Sequence, residues 1–315
     1  MRDWMGRELN YLRLSLTERC DLNCLYCKDG TECCPAQTEL AQDELRRLTE
    51  CFVRLGVTKV RLTGGEPMLR ADLEQIVRML SGFPQITDLA MTTNAQGLAD
   101  HLPELQRAGL QRVNISLDSL DETTYRRMTR GGQLSRVWDG IHAALRADMP
   151  VKINVVLMRG INDGEVDAFL RLAKEYPVEV RFIELMPFSQ VGQQPAYRLD
   201  NGAILESYPE LRPMQSSAAS GPAQRYCAEG FCGTVGLISP ISHIFCPFCN
   251  RIRVTSSGKL RMCLGQNEEL DLRPLLDAPL PELEAALREA IYRKPRQHCF
   301  ASEQPIGRSM NQIGG

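Results

Sequence analysis

Apolar and polar positions follow two alternating rhythms up to Pro187. Short, nearly continuous runs of β-branched and apolar residues occupy 11–17, 58–63, 88–92, 112–117, 151–157 and 178–185. Runs without a polar face mark strands buried on both sides. Between them the spacing turns helical: Leu45, Leu48, Phe52 and Leu55 recur every three or four residues, with Gly56 placed to end the helix. Val137, Ile141, Ala144 and Leu145 repeat the pattern. Six βα units in succession predict an α/β fold with a parallel sheet curved into a partial (β/α)6-type barrel. After Pro187 the rhythm fades. Residues 212–224, rich in Ser, Pro, Ala and Gly, read as an exposed loop. A boundary there divides the chain into 1–212 and 213–315. The second part is a smaller α+β domain with a helix over 282–292, closing the barrel.

Composition constrains the partners. A chain of 315 residues buries a full core without crosslinks. A net charge of −2 draws it to neither nucleic acid nor membrane, so any anion site is built locally. No apolar run approaches the ~20 residues of a membrane span, and the polar residues 1–11 lack a signal-peptide core. The expectation is a cytoplasmic protein. Its 12 cysteines then read as metal ligands rather than disulfides, because that compartment keeps thiols reduced.

Cys20, Cys24 and Cys27 form C-x3-C-x2-C directly after the first strand. Three thiolates suit an iron–sulfur cluster with one iron left open, whereas a structural zinc wants four ligands. The spacing resembles the signature of the radical SAM superfamily, with Tyr26 at its aromatic position. That resemblance implies S-adenosylmethionine (SAM) on the open iron and a 5′-deoxyadenosyl radical on its reductive cleavage. Further chemistry belongs at the strand ends. The second strand ends in Thr63-Gly64-Gly65-Glu66-Pro67, similar to a superfamily segment in which the glutamate meets the SAM amino group. Thr92, Ser116 and Met186 stand at later strand ends.

Arg13, Lys59, Arg61, Lys152 and Arg181 interrupt the apolar runs. Charges there are costly unless paired, as with a neighbour such as Glu184, or bound to a ligand; a polyanion such as a triphosphate suits them. A second trio, Cys246, Cys249 and Cys263, flanks Arg251 and Arg253, which alternation puts on one side of a strand. His243 makes a Cys3His zinc site the rival reading.

Nearly the whole chain resembles one family, the molybdenum cofactor biosynthesis protein A or GTP 3′,8-cyclase family. The likeness runs through residues 13–20, 63–67, 114–121, 151–156, 181–186, 239–263 and 312–315. It implies a lyase with a radical SAM barrel, two [4Fe-4S] clusters and SAM. The radical would take the ribose 3′-hydrogen of GTP, and cyclisation onto C8 would give 3′,8-cyclo-7,8-dihydro-GTP, the first step of molybdenum cofactor synthesis. Matching positions assign Arg13, Lys59, Arg61, Thr92, Lys152, Arg181, Arg251 and Arg253 to GTP, with Arg13, Arg251 and Arg253 catalytic. They assign Tyr26, Gly65, Glu66, Ser116 and Met186 to SAM. Gly314 and Gly315 would form a tail reaching the active site. The family also implies a homodimer, a small reductant protein and product transfer to cyclic pyranopterin monophosphate synthase. The chain departs from the family at Lys28-Asp29, where Met-Pro is usual, and at Ala95, where Gly is favoured. Cys33 and Cys34 read as loop thiols, with spare ligands as the alternative, and Cys51, Cys227, Cys232 and Cys299, outside both trios, read as ordinary buried thiols. Two other readings stay open: a peptide-modifying radical SAM maturase with an auxiliary cluster, and a non-enzymatic zinc or electron-transfer protein.

Overall fold

The computed structural model describes residues 1–28, 39–215, 221–300 and 306–314. Cys33, Cys34 and Gly315 lie outside them. Six strands carry the first rhythm: β1 (Tyr11–Ser15), β2 (Lys59–Thr63), β3 (Asp88–Thr93), β4 (Arg112–Ser116), β5 (Val151–Leu157) and β6 (Val178–Glu184). Six more follow: β7 (Arg212–Pro213), β8 (Gln224–Cys227), β9 (Thr234–Ile238), β10 (Arg251–Val254), β11 (Lys259–Arg261) and β12 (Leu270–Asp271). All twelve join one sheet in the order β12-β11-β10-β1-β2-β3-β4-β5-β6-β9-β8-β7. The eight strands from β10 to β9 run parallel, and short antiparallel pairs finish both ends.

The outer face of this sheet is apolar and covered by helices. Leu12, Leu14, Val60 and Leu62 are buried there. The helix Gln42–Arg54 turns Leu45, Leu48 and Phe52 inward. Each such side chain contributes ~2 kcal/mol by leaving water. The Glu44 carboxylate accepts from the Ala41 N–H at 2.6 Å and closes the helix start. Gly56, at φ +94°, ends it as expected.

The expected loop at 212–224 has strand at both ends, because Arg212 and Gln224 belong to a hairpin at the sheet edge. Pro213 is admissible in such an edge strand. Strands from beyond residue 212 extend the sheet on both sides. β9 lies beside β6 and β10 beside β1.

Candidate active site

Every parallel strand sends a side chain into one cavity of about 240 Å³: Arg13, Arg61, Thr92, Ser116, Asn154, Arg181, Ile238 and Arg253. Eight neighbouring strands can line one space only if the sheet curls around it, so the inner face is the wall of a partial barrel.

Register puts three cations in a row across that wall. Arg13 is the partner of Arg253 on β10 and of Arg61 on β2. Like charges on adjacent strands repel. Burial, then the charges of Arg253 and Arg61, holds Arg13 well below the usual guanidinium range. Burial lowers Arg61 to about 10 and Arg253 to about 9. The Arg61 guanidinium lies 5.3 Å from the Tyr11 ring centre. Among the described residues, Arg61 Nε, Thr63 Oγ1 and Thr92 Oγ1 are buried with no hydrogen-bond partner. Buried donors beside stacked cations are the makings of a polyoxyanion site.

Lys152 and Arg181 have a different arrangement. Lys152 Nζ donates to Glu179 at 2.9 Å, and Arg181 Nε donates to it at 2.6 Å. Burial alone would raise the Glu179 carboxyl, but the charges of Arg181 and Lys152 outweigh it and hold it at about 2. Burial and Arg181 lower the Lys152 ammonium to about 8. The expected counter-charge, Glu184, is engaged elsewhere: it accepts from the N–H groups of Ile241 (2.9 Å) and Ser242 (3.1 Å) and from the Ser242 hydroxyl. Strand parity explains the correction, since residues two apart share a face and Glu179 therefore accompanies Arg181. Lys59 and Lys152 stand at the opening ends of β2 and β5 and do not line the cavity.

Cys20, Cys24 and Cys27 line the cavity with Tyr26, Gly65 and Met186. Burial raises Cys20 to about 12, Cys27 to about 11, and Cys24 strongly. They are therefore neutral thiols until a metal displaces their protons. The loop is firmly held. Asn23 N donates to Thr129 O (3.0 Å), Leu25 N to Met128 O (2.9 Å), and Tyr26 Oη to Asp118 (2.8 Å). Asp118 also accepts from Val156 N at 2.9 Å, and burial raises its carboxyl to about 6. A Cβ on Gly65 would lie 2.1 Å from Arg19 O, so only glycine lets β2 end against this loop. Glu66 does not line the cavity. Its carboxylate accepts from Met68 N (3.1 Å), Thr93 Oγ1 (2.9 Å) and Asn94 N (2.7 Å), which makes it a brace between the ends of β2 and β3.

The second trio gathers behind β10. Cys246 and Cys249 bracket a single turn, and Cys263 follows β11. The three thiols act on one another electrostatically. Burial opposes ionisation of Cys249, but Arg251 and Lys294 outweigh it and lower the thiol to about 6. The trio does not itself line the cavity, whereas the flanking Phe245, Arg251 and Leu264 do. Arg251 lies 5.0 Å from the Phe245 ring centre. His243 is exposed, and among the described residues no three His, Cys, Asp or Glu side chains converge on one metal ion. What each trio offers is three thiols, half-buried except for the buried Cys246, the donor set of an iron–sulfur cluster.

The C-terminal segment enters the same space. Met310 N donates to Cys27 O (3.0 Å), Asn311 Nδ2 to Glu18 O (2.9 Å), and Arg253 Nη1 to Gly314 O (2.6 Å). Gly314 has φ +80°, and a Cβ there would lie 2.7 Å from Ser15 Cβ and Thr63 Oγ1. Tyr11, Asn154, Asn311 and Glu179 join the site without having been singled out from the sequence. Glu179 was legible from parity, since it precedes Arg181 by two on one strand.

Two family models match the chain: Radical SAM superfamily over residues 14–173 and Molybdenum Cofactor Synthesis C over 178–300. GTP 3′,8-cyclase of Listeria monocytogenes is 41% identical, the match covering 100% of this chain and 99% of the relative. GTP 3′,8-cyclases of Alkaliphilus oremlandii (41%) and Moorella thermoacetica (42%) match over 100% of both chains. Among solved structures, Streptococcus suis SuiB bound to S-adenosylmethionine superposes with a TM-score of 0.60 at 14% identity, covering 95% of this chain and 74% of that one. That likeness concerns the fold alone.

Proposed function

The chain belongs to the GTP 3′,8-cyclase family of radical SAM enzymes, and from that premise we propose how its residues divide the work. The reaction is the first step of molybdenum cofactor biosynthesis. When bound, a [4Fe-4S] cluster and SAM supply the radical that takes the ribose 3′-hydrogen of GTP, before cyclisation onto C8.

Cys20, Cys24 and Cys27 hold that cluster, and Tyr26, fixed by Asp118, faces SAM with Gly65, Ser116 and Met186. Cys246, Cys249 and Cys263 hold a second cluster. Arg253, Arg13 and Arg61 receive the triphosphate, with Thr92, Arg181 and Arg251 around the nucleotide and Lys59 and Lys152 adding charge from the strand openings. The tail closes the space against Arg253 through Gly314, and Gly315, which lies outside the described residues, is assigned to the same tail. The units 1–212 and 213–315 each carry one trio. A small reductant protein supplies electrons, a homodimer is the working form in the cytoplasm, and the product passes to cyclic pyranopterin monophosphate synthase.

One observation carries this reading: a row of three arginines in register, Arg61 and Arg253 buried and Arg13 half-buried, lining the same cavity as a C-x3-C-x2-C trio. Fixed triphosphate contacts hold the ribose near the radical, and such orientation accounts for ~7–11 kcal/mol of barrier lowering in favourable cases. Anaerobic incubation of reconstituted protein with SAM, GTP and dithionite tests it. 5′-Deoxyadenosine should form in a GTP-dependent manner together with the cyclised nucleotide. Formation that depends on a peptide and never on GTP would overturn the reading in favour of a maturase.

A further inference from the structure

A lysine is buried behind the second thiol trio with no carboxylate to meet it. Lys294 is 2% exposed. Its Nζ donates to two main-chain oxygens, Arg251 O at 2.8 Å and Met262 O. Arg251 follows Cys249 by two residues, and Met262 immediately precedes Cys263. The charges acting most on the ammonium are the Cys249 and Cys263 thiols on one side and the cations Arg7 and Arg251 on the other. Among the described residues no acidic side chain pairs with it. A buried ammonium whose hydrogen bonds go only to neutral carbonyls, and whose sole counter-charge lies on the nearby sulfurs, is expensive unless those sulfurs are anionic.

Its neighbour Arg7 differs, being neutralised by Asp3 at 2.6 Å. Arg7 donates to Cys246 O (3.0 Å) and Lys294 O (3.2 Å), and Trp4 Nε1 also donates to Lys294 O (2.8 Å). Together Arg7 and Lys294 grip the backbone within two residues of all three cysteines. Arg7 accounts for itself by its ion pair. Lys294 is left with a positive charge that only an anion among the three sulfurs can balance. A four-iron cluster held by three thiolates is such an anion, and reduction adds one more negative charge.

We propose that Lys294 is a positioning residue whose buried positive charge balances the anionic cluster of Cys246, Cys249 and Cys263 and raises its reduction potential. This rests on the second-cluster reading above. A fixed cation at short range in a low-dielectric site favours the more negative, reduced state. The two carbonyl bonds keep the charge in place in both redox states.

The test uses the full-length chain with Cys20, Cys24 and Cys27 all changed to Ala, so that only the second trio remains. It is reconstituted anaerobically with iron and sulfide. Iron content and the midpoint potential, by EPR-monitored redox titration, are the readouts. The parent should hold about four irons; if it holds none, the second-cluster reading itself fails before Lys294 is tested. In that background, Lys294→Gln keeps a hydrogen-bond donor and loses the charge, whereas Lys294→Arg keeps the charge. At the parent's midpoint potential, the reduced-to-oxidised ratio should fall about tenfold in Lys294→Gln, a shift of about 59 mV to more negative potential for a one-electron couple. It should stay within about threefold of the parent in Lys294→Arg. Loss of iron from the Gln variant with retention by the Arg variant also supports the proposal, since the charge is then needed to keep the cluster at all. Any pattern in which the Arg variant does not follow the parent more closely than the Gln variant overturns it, including equal shifts, no shifts, or loss of iron from both.

Discussion

Gly314 shows how little room the site leaves. Its φ of +80° and the 2.7 Å approach of a would-be Cβ to Ser15 and Thr63 tie the tail to one residue type. Gly314→Ala should cut turnover of GTP at least about tenfold, while the melting temperature stays within about 1 °C because the tail carries little of the core; steady-state kinetics beside a melting curve checks both. Ala95 is the opposite case. The sequence flagged it as a departure from a family glycine, and the structure gives it φ +62° in full burial. Left-handed backbone costs ~1–2 kcal/mol. Ala95→Gly relieves it but gives up a buried methyl worth ~0.8 kcal/mol and adds ~0.5–1 kcal/mol of chain entropy. The terms nearly cancel, so that exchange should move unfolding free energy by less than about 1 kcal/mol in urea. Ala95→Val, β-branched at positive φ, should lose about 2 kcal/mol or more. Glu66 was harder to read, because a motif names a residue type and not the direction its carboxylate turns.

Strands position the site through register and parity. Lys152 is the register partner of Glu179, and Arg181 lies two residues further along the same face. With its carboxyl at about 2 when folded and about 4.5 as the ordinary value, Glu179 stabilises the fold by roughly 3 kcal/mol at most. For an acid lowered in this way, the contribution is complete above pH 4.5 and is lost as pH falls through 2. Denaturation of Glu179→Gln beside the natural chain should show its largest gap at pH 5 and above, narrowing steadily toward pH 2. The row formed by β10, β1 and β2 makes a second claim. Arg253→Ala, or Arg251→Ala beside it, should weaken equilibrium binding of GTP at least about tenfold with iron content unchanged, since one charge-assisted contact contributes ~1.5–3 kcal/mol. Unaltered affinity would remove that arginine from the site.

Across the whole molecule, the six βα strands were legible to within two residues at each end, because burial on both faces leaves an unbroken apolar signature. The closure of the sheet was not. β10 takes its place beside β1 although some 240 residues separate them, and no local rhythm encodes a non-local pairing. The second trio was readable as a candidate ligand set, but its place outside the cavity lining was set by that pairing. The assembled row of like charges is strained while no anion is present, which gives a global observable. GTP at 100 times its dissociation constant should stabilise the fold by about 2.7 kcal/mol, guanosine far less, and added salt should shrink the difference; calorimetry at 0.05 and 0.5 M NaCl decides. The β1–β10 pairing also has a meaning in time. At ~5–20 residues per second of synthesis, Arg253 emerges from the ribosome roughly 12–48 seconds after Arg13. Until then one flank of β1 is an unsatisfied edge, open to a stray strand from another nascent chain. A truncated product ending before residue 251 would keep that adhesive edge for good, so premature termination should yield aggregates rather than a partly working enzyme.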